Sequence, residues 1–277
     1  MIEQQIREYL LPCAFNAAVR AGAEIMKVYN NSNGYNIEVK SDNTPLTIAD
    51  RLAHNKIKEV LGETRIPILS EEGREMLYDE RKNWEMFWLI DPLDGTIEFI
   101  KRNNEFTVNI ALMADNECIG AIVYVPYLEK LYFAEQGIGA MLLEGITPDE
   151  NASFSNDNIR TRAKALPLPT SAHSNFRIAV SRSHQTIETA EYIEEMRKMH
   201  HDIEVVEQGS SYKFCLMAEG AIDYYPRTTS TYEWDTAAAE LILAEAGGVT
   251  RSLPERKPLR YNKENLQNPW FECCRFK

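Results

Sequence analysis

Apolar residues at Ile6, Leu10, Ala14, Ala17, Ala18, Ala21, Ile25 and Val28 recur every three or four positions, which predicts a helix with one buried face. The polar, glycine-containing stretch Asn30 to Tyr35 is expected to end it. Leu52, Ala53, Ile57 and Val60 predict a second helix over about Ala49 to Leu61. Short buried strands are expected at Ile66 to Leu69 and Phe87 to Ile90, and Phe106, Val108, Ile110 and Leu112 alternate with polar partners at the period of a half-buried strand. Ile119 to Val125 and Lys130 to Glu135 extend this into a run of sequential antiparallel strands.

The pattern then changes. Residues 144–174 collect Pro, Asn, Ser and Thr with little periodicity, and read as a polar connection or surface excursion. Beyond them come strand Arg177 to Val180, helix Glu188 to Met199, strand Ile203 to Val206, helix Ser211 to Ala218, strand Ile222 to Tyr225 and helix Asp235 to Ala246. Alternation with helices of about ten residues implies an α/β unit with parallel strands. The expected division is an α+β half over 1–143, the connection over 144–174 and an α/β half over 175–277.

Composition excludes several function classes. With 30 basic and 42 acidic residues the formal net charge is −12, so the surface as a whole repels nucleic-acid polymers and anionic membranes. The five cysteines are scattered and lack a C-x-x-C pair, which fits neither a disulfide framework nor a zinc ribbon and implies a reducing compartment. No run approaches the ~20 apolar residues of a membrane span, and the acidic start is unlike a signal peptide. A cytoplasmic protein without an integral membrane segment or an obligate protein partner is expected; peripheral association with the cytoplasmic face of the inner membrane stays open.

Candidate chemistry concentrates in FWLIDPLDGTIEF, residues 87–99. A buried strand delivers Asp91 to its end, Pro92 enforces a bend, and Asp94 follows three residues on, with Gly95 and Thr96 opening a turn or helix whose N–H groups can meet an anion. Two carboxylates that close repel unless protonated or bridged, and oxygen-only ligands favour Mg²⁺, Mn²⁺ or Ca²⁺. Glu71 sits at another strand terminus, Asp235 opens the last strong helix, and Asp50 lies in the first turn of the second. Each also has a plainer reading: an acidic turn for Glu71, an Asp turn or cap for Asp94, an N-cap for Asp235, a dipole partner for Asp50. Several such acids at element ends suggest one metal-dependent phosphate-ester hydrolase site assembled from distant segments.

LSEEG, WLIDPLDGTIEF and EWDTAA, in that order, resemble the lithium-sensitive, magnesium-dependent phosphatase superfamily of inositol monophosphatase and fructose-1,6-bisphosphatase. PLTIAD, VSRSH, GSSYKFCLMAEGAIDYYPR and KPLRYNKENLQNPWF are similar to the bacterial 3'(2'),5'-bisphosphate nucleotidases of sulfate assimilation, over about Ala14 to Phe271 except the 144–174 loop. The resemblance implies a layered αβαβα sandwich. It also implies hydrolysis of adenosine 3',5'-bisphosphate to AMP and phosphate by metal-activated water, with 3'-phosphoadenylyl sulfate as a further candidate substrate and an inositol or sugar phosphatase as the alternative.

By the same resemblance, Glu71, Asp91 and the carbonyl of Leu93 hold one Mg²⁺, and Asp91, Asp94 and Asp235 hold a second. A third, weaker ion lies near Glu71. Asp50 and Thr96 orient the attacking water, Gly95 and Thr96 face the scissile phosphate, and Ser210, Lys213 and Arg227 hold the other phosphate and the ribose. His184 is placed near adenine, with a local turn role equally open. For Lys213 a solvated helix charge, and for Arg227 a surface ion pair, are the plainer readings. Ile97 and Ala239 depart from the usual pattern, where Lys and Gly are common, which bears on substrate preference and packing. A binding protein that has lost catalysis is the reading from another class; the presence of every expected acid weighs against it.

Overall fold

The computed structural model describes residues 6–31, 37–39, 45–169 and 175–275. Most of the turn expected at Asn30 to Tyr35, and the end of the 144–174 segment, lie outside them. Helix α1 (Leu11–Asn30) follows a π turn over Ile6–Leu10, and α2 (Ile48–Gly62) follows the short strands β1 (Ile37–Val39) and β2 (Pro45–Thr47). Then come β3 (Ile68–Ser70), α3 (Tyr78–Arg81), β4 (Met86–Asp94), α4 (Thr96–Ile100), β5 (Thr107–Ala114), β6 (Glu117–Val125), β7 (Lys130–Glu135) and β8 (Gly139–Glu144). The chain continues through α5 (Asn156–Arg160), β9 (Lys164–Ala165), β10 (Phe176–Ser181), α6 (Ile187–Met199), β11 (Ile203–Gln208), α7 (Tyr212–Glu219), β12 (Tyr224–Arg227), α8 (Glu233–Glu245), β13 (Val249–Ser252) and β14 (Phe271–Cys274).

Strands β3 to β9 form a seven-stranded sheet in sequence order, parallel only between β3 and β4. A five-stranded sheet has the order β11-β10-β12-β14-β13, with β10 parallel to both its neighbours and the other pairs antiparallel. Helices α1 and α2 cover one face of the large sheet; α7 and α8 lie between the two sheets; α6 covers the outer face of the small one. This is the expected αβαβα layering.

Side-chain alternation in the large sheet explains the layers. Trp88 and Ile90 of β4, Val108, Ile110 and Leu112 of β5, and Ile122 and Tyr124 of β6 pack with Ala14, Phe15, Ala18 and Ile57 from α1 and α2. The intervening Phe87, Leu89, Ala111, Met113, Ala121 and Val123 pack with Ala237, Ala238 and Ile242 of α8 and with Ala179 and Phe271 of the small sheet. Strand β5 is therefore buried on both faces, not half-buried: Thr107 and Asn109 are as enclosed as their apolar neighbours. Their polarity is spent on hydrogen bonds to Ser211, described below.

The segment from 144 is less irregular than its composition implies. Ile146, Ala152 and Ile159 enter the core beside α1, Arg20 donates to the Ala152 carbonyl at 2.8 and 3.0 Å, and Lys164–Ala165 adds the last strand of the large sheet. The strand expected at Ile222 to Tyr225 lies two residues later, because Pro226 is tolerated where β12 pairs with β14.

Gly22, in the middle of α1, marks the closest approach of the helix layer to the sheet: a Cβ there would stand 2.4 Å from Tyr124 Cε1 and 3.2 Å from Pro126 Cβ. Gly22→Ala is expected to destabilise the fold by about 1–3 kcal/mol in denaturant unfolding despite alanine's better helix propensity. Gly62→Ala, with nothing within 4 Å of the new methyl, should be neutral or stabilising by up to ~1 kcal/mol. Equal effects of the two would contradict this packing.

Candidate active site

Parallel pairing of β3 with β4 matches Ser70 to Ile90 and so brings the next residues, Glu71 and Asp91, side by side; the Glu71 N–H donates to the Ile90 carbonyl at 3.2 Å. The β4 ladder is interrupted between Asp91 and Asp94, where Pro92 has no N–H to offer. Asp91 accepts the Leu93 N–H at 3.0 Å across this bulge. Gly95, at φ 90°, turns the chain into α4; a Cβ there would stand 2.9 Å from the Glu105 carbonyl as well as in the left-handed region.

Asp235 comes from the first turn of α8. Its Oδ2 accepts the Tyr232 N–H at 2.8 Å at the helix start, and the other oxygen is left for the cavity. The start of α8 is itself clamped. Glu233, fully buried, accepts the N–H groups of Asn262 and Lys263 at 2.6 and 3.0 Å and the Lys263 ammonium at 2.6 Å. Buried Arg81 donates to Asn262 Oδ1 and the Glu264 carbonyl at 2.7 and 3.0 Å, and Asn268 Nδ2 donates to the Tyr232 carbonyl at 2.7 Å. Sequence reasoning assigned these residues no role.

Glu71, Asp91 and Asp235 each present a carboxylate oxygen, and the three oxygens lie within 4.8 Å of one another. Asp94 lines the same cavity; its Oδ2 accepts the Ser211 N–H at 2.5 Å, and Ser211 Oγ bonds Thr107 Oγ1 and Asn109 Oδ1, both at 2.8 Å. Burial, then the charges of Glu71, Asp94 and Asp235, hold the Asp91 carboxyl well above the usual carboxylate range. Asp235 is raised likewise, by burial and then by Asp94 and Glu71. An all-oxygen donor set whose charges are this crowded fits a hard divalent cation such as Mg²⁺ or Mn²⁺.

Asp50 is buried at the start of α2 and completes a capping box with Thr47, whose N–H and hydroxyl donate to its Oδ2 at 2.7 and 2.6 Å. Its Oδ1 faces Thr96 Oγ1 at 3.2 Å; the same hydroxyl stands 3.3 Å from the Leu93 carbonyl. Burial pushes the Asp50 carboxyl up to about 6 against the opposing hydrogen bonds from Thr47. The cap reading and the catalytic reading of Asp50 are thus compatible in one conformation.

Ser210, Lys213, Arg227 and His184 line the same cavity. Lys213 is no solvated charge: it is 2 % exposed, its ammonium donates to the Gln208 and Ser210 carbonyls at 3.1 and 2.6 Å, and it lies 5.2 Å from the Tyr225 ring centre. Burial, then Arg227, push its amine down to about 7. Arg227 Nε is buried without a hydrogen-bond partner. His184 is exposed at the rim, its Nδ1 3.4 Å from Ser181 Oγ. Ile97 lines the cavity half-buried, whereas Ala239 is enclosed in the inter-sheet core. Glu98, Tyr225, Thr231 and Trp234 also line the cavity without having been singled out in the sequence.

The family model described as "Inositol monophosphatase family" matches residues 6–268. The chain is 38 % identical over 257 residues to the 3'(2'),5'-bisphosphate nucleotidase CysQ of Escherichia coli (strain K12), covering 92 % of this chain and 95 % of that protein. It is 34 % identical over 270 residues to the protein of the same name from Haemophilus influenzae, covering 96 % and 93 %. The crystal structure of CysQ from Bacteroides thetaiotaomicron, described as a bacterial member of the inositol monophosphatase family, superposes with a TM-score of 0.86 at 44 % identity, over 96 % of this chain and 97 % of that one. With its sandwich of two sheets and three helical layers and its carboxylates gathered at the strand ends, this chain belongs to the inositol monophosphatase family.

Proposed function

We propose that the chain is a divalent-cation-dependent 3'(2'),5'-bisphosphate nucleotidase that hydrolyses adenosine 3',5'-bisphosphate to AMP and phosphate. It is an enzyme, a phosphoric monoester hydrolase. The observation that carries the reading is one cavity that joins the acids Glu71, Asp91, Asp94 and Asp235 to the cations Lys213 and Arg227. Similarity to the CysQ nucleotidases supports the choice of substrate.

In this reading Glu71, Asp91 and the Leu93 carbonyl hold one Mg²⁺, and Asp91, Asp94 and Asp235 a second, with a third near Glu71. Bound there, Mg²⁺ supplies charge neutralisation for the phosphoryl oxygens and lowers the pKa of water. The chain's own residues do the rest. Thr96 has one hydroxyl proton, directed to Asp50 or to the Leu93 carbonyl, so its lone pairs are available to accept from the attacking water. Asp50, with a pKa near 6, is matched to take up that proton near neutral pH. Gly95 and Thr96 line the floor beneath the scissile phosphate. Arg227, with its unpaired Nε, and Lys213, with one N–H donor uncommitted, hold the second phosphate together with Ser210. His184 at the rim lies beside the base. No serine or histidine nucleophile is needed. The phosphosulfate analogue extends the same reading to a substrate whose 5' group also meets these cations, and lithium is expected to inhibit.

Phosphate release should be far faster from adenosine 3',5'-bisphosphate than from inositol 1-phosphate in the presence of Mg²⁺; a reversed order would assign the chain to sugar phosphates instead. Asp94→Asn is expected to lower kcat/KM by about 100-fold or more, the scale of a lost transition-state charge partner, without lowering the melting temperature. Full activity of this variant would remove Asp94 from the metal site.

The raised carboxyl values give the metal-free protein a distinct pH dependence. Unfolded aspartates titrate near 4, whereas in the fold burial pushes Asp50 up to about 6, and burial with the neighbouring acids holds Asp91 and Asp235 well above the usual carboxylate range. Between these values the native state binds more protons than the unfolded one, so stability falls as pH rises. In chelator the melting temperature should decline from pH 5 to pH 8, and added Mg²⁺ should restore more of it at pH 8. A metal-free melting temperature that climbs over this interval would contradict the crowding of charge.

A further inference from the structure

Glu98 belongs to the cavity wall and to none of the roles above. It lies two residues beyond Thr96 on α4, is 3 % exposed and lines the cavity. Its side chain passes over Gly209, where an added Cβ would stand 2.4 Å from Glu98 Cγ and 3.0 Å from Cδ, so a side chain at 209 would displace it. Among the described residues, no hydrogen bond or ion pair is made by its carboxylate.

Arg182, Lys213 and His184 feel its charge without bonding it; His184 Nδ1 faces Ser181 Oγ at 3.4 Å. Arg182 is held by Glu105, with Nε and Nη2 at 2.9 and 2.7 Å from the carboxylate oxygens. Lys213 gives two of its donors to the Gln208 and Ser210 carbonyls. Glu105 also accepts the Gly209 N–H at 2.7 Å, so its neighbour Glu98 is the carboxylate left with unfilled acceptor capacity. A buried acceptor of this kind is costly unless a donor completes it. A carboxylate with unfilled acceptor capacity takes a hydrogen-bond donor and repels an anion, so the completing ligand group is a donor and not a phosphate.

Position narrows the donor further. A Cβ at Gly209 would stand 3.0 Å from both Glu98 Cδ and the Glu105 carbonyl, and a Cβ at Gly95 2.9 Å from that same carbonyl, so the Glu98 carboxylate lies beside the Gly95–Thr96 turn at the reacting end. In a ribonucleotide whose 3'-phosphate is being cleaved, the donor nearest the phosphate is the hydroxyl on the adjacent ribose carbon, while the amine of the base is at the far end of the molecule. We propose that Glu98 accepts a hydrogen bond from this vicinal ribose hydroxyl and so determines the enzyme's preference for ribonucleotides over deoxyribonucleotides. The same contact serves a 2'-phosphate, whose vicinal hydroxyl is then the 3'. This inference rests on the nucleotidase reading.

The test is kcat/KM on adenosine 3',5'-bisphosphate and on its 2'-deoxy analogue, with the wild-type chain and with Glu98→Ala and Glu98→Gln. The wild type should prefer the ribonucleotide by at least about 10-fold, because the deoxy analogue leaves a buried carboxylate unpaired. Glu98→Ala should bring the ratio close to one, and Glu98→Gln, which keeps an acceptor oxygen, should fall between. A purely structural role would lower both substrates alike and leave the ratio where it was, which overturns the inference. Equal rates on the two nucleotides with the wild type, an experiment needing no variant to fold, overturn it as well. If the wild type releases phosphate from neither, the nucleotidase reading fails and the inference with it.

Discussion

Three carboxylate oxygens from Glu71, Asp91 and Asp235 within 4.8 Å of one another are a constraint that the surrounding structure must answer. At that spacing each pair of full charges repels by about 3–4 kcal/mol for an effective dielectric near 20. Two of these acids are held by backbone N–H groups, Asp91 by that of Leu93 and Asp235 by that of Tyr232, and Asp94 beside them is held by that of Ser211. Burial first, and then the residual repulsion, raise the Asp91 and Asp235 carboxyls, a state that a divalent cation would relieve.

The layers exist, in this sense, to hold the ends of strands and helices against one another. Strand β4 is fixed between two cores, one shared with α1 and α2 and the other with α8, so Asp91 cannot retreat from Asp235. The α8 terminus is pinned by Glu233 and by Arg81 through the 261–268 segment. Lys213 ties down the Gln208–Ser210 turn whose next N–H grips Asp94. Acid and base residues are therefore mechanically continuous, and in the proposed reading the net charge of −12 is compatible with an anionic ligand because acids at the site would recruit cations there.

Much of this was legible in the sequence. Strong periodicity gave α1, α2, β5, β6 and α8 within a few residues, and D-P-L-D-G-T announced a bulged strand end with paired acids because Pro and Gly have few other uses in that order. What was missed had weak local signals. Strand β8 has no alternation to read although its partner β7 directly precedes it; β13 and β14 are short, and β14 depends on β12 and β13, some twenty residues or more away in the chain. Composition alone made 144–174 look unstructured, although a few residues, Ile146, Ala152 and Ile159, suffice to bind its described part to the core. Lys213 and Glu98 look like ordinary helix charges because burial by another element leaves no trace in local spacing. Gly209 was a visible clue: a glycine before a helix can mark a close side-chain approach as well as a turn.

Whether the crowded acids are a cation site is decided by anomalous scattering from crystals soaked in Mn²⁺. One peak is expected between Glu71, Asp91 and the Leu93 carbonyl, and a second bounded by Asp91, Asp94 and Asp235. Saturating Mn²⁺ with no anomalous density at these carboxylates would contradict this assignment.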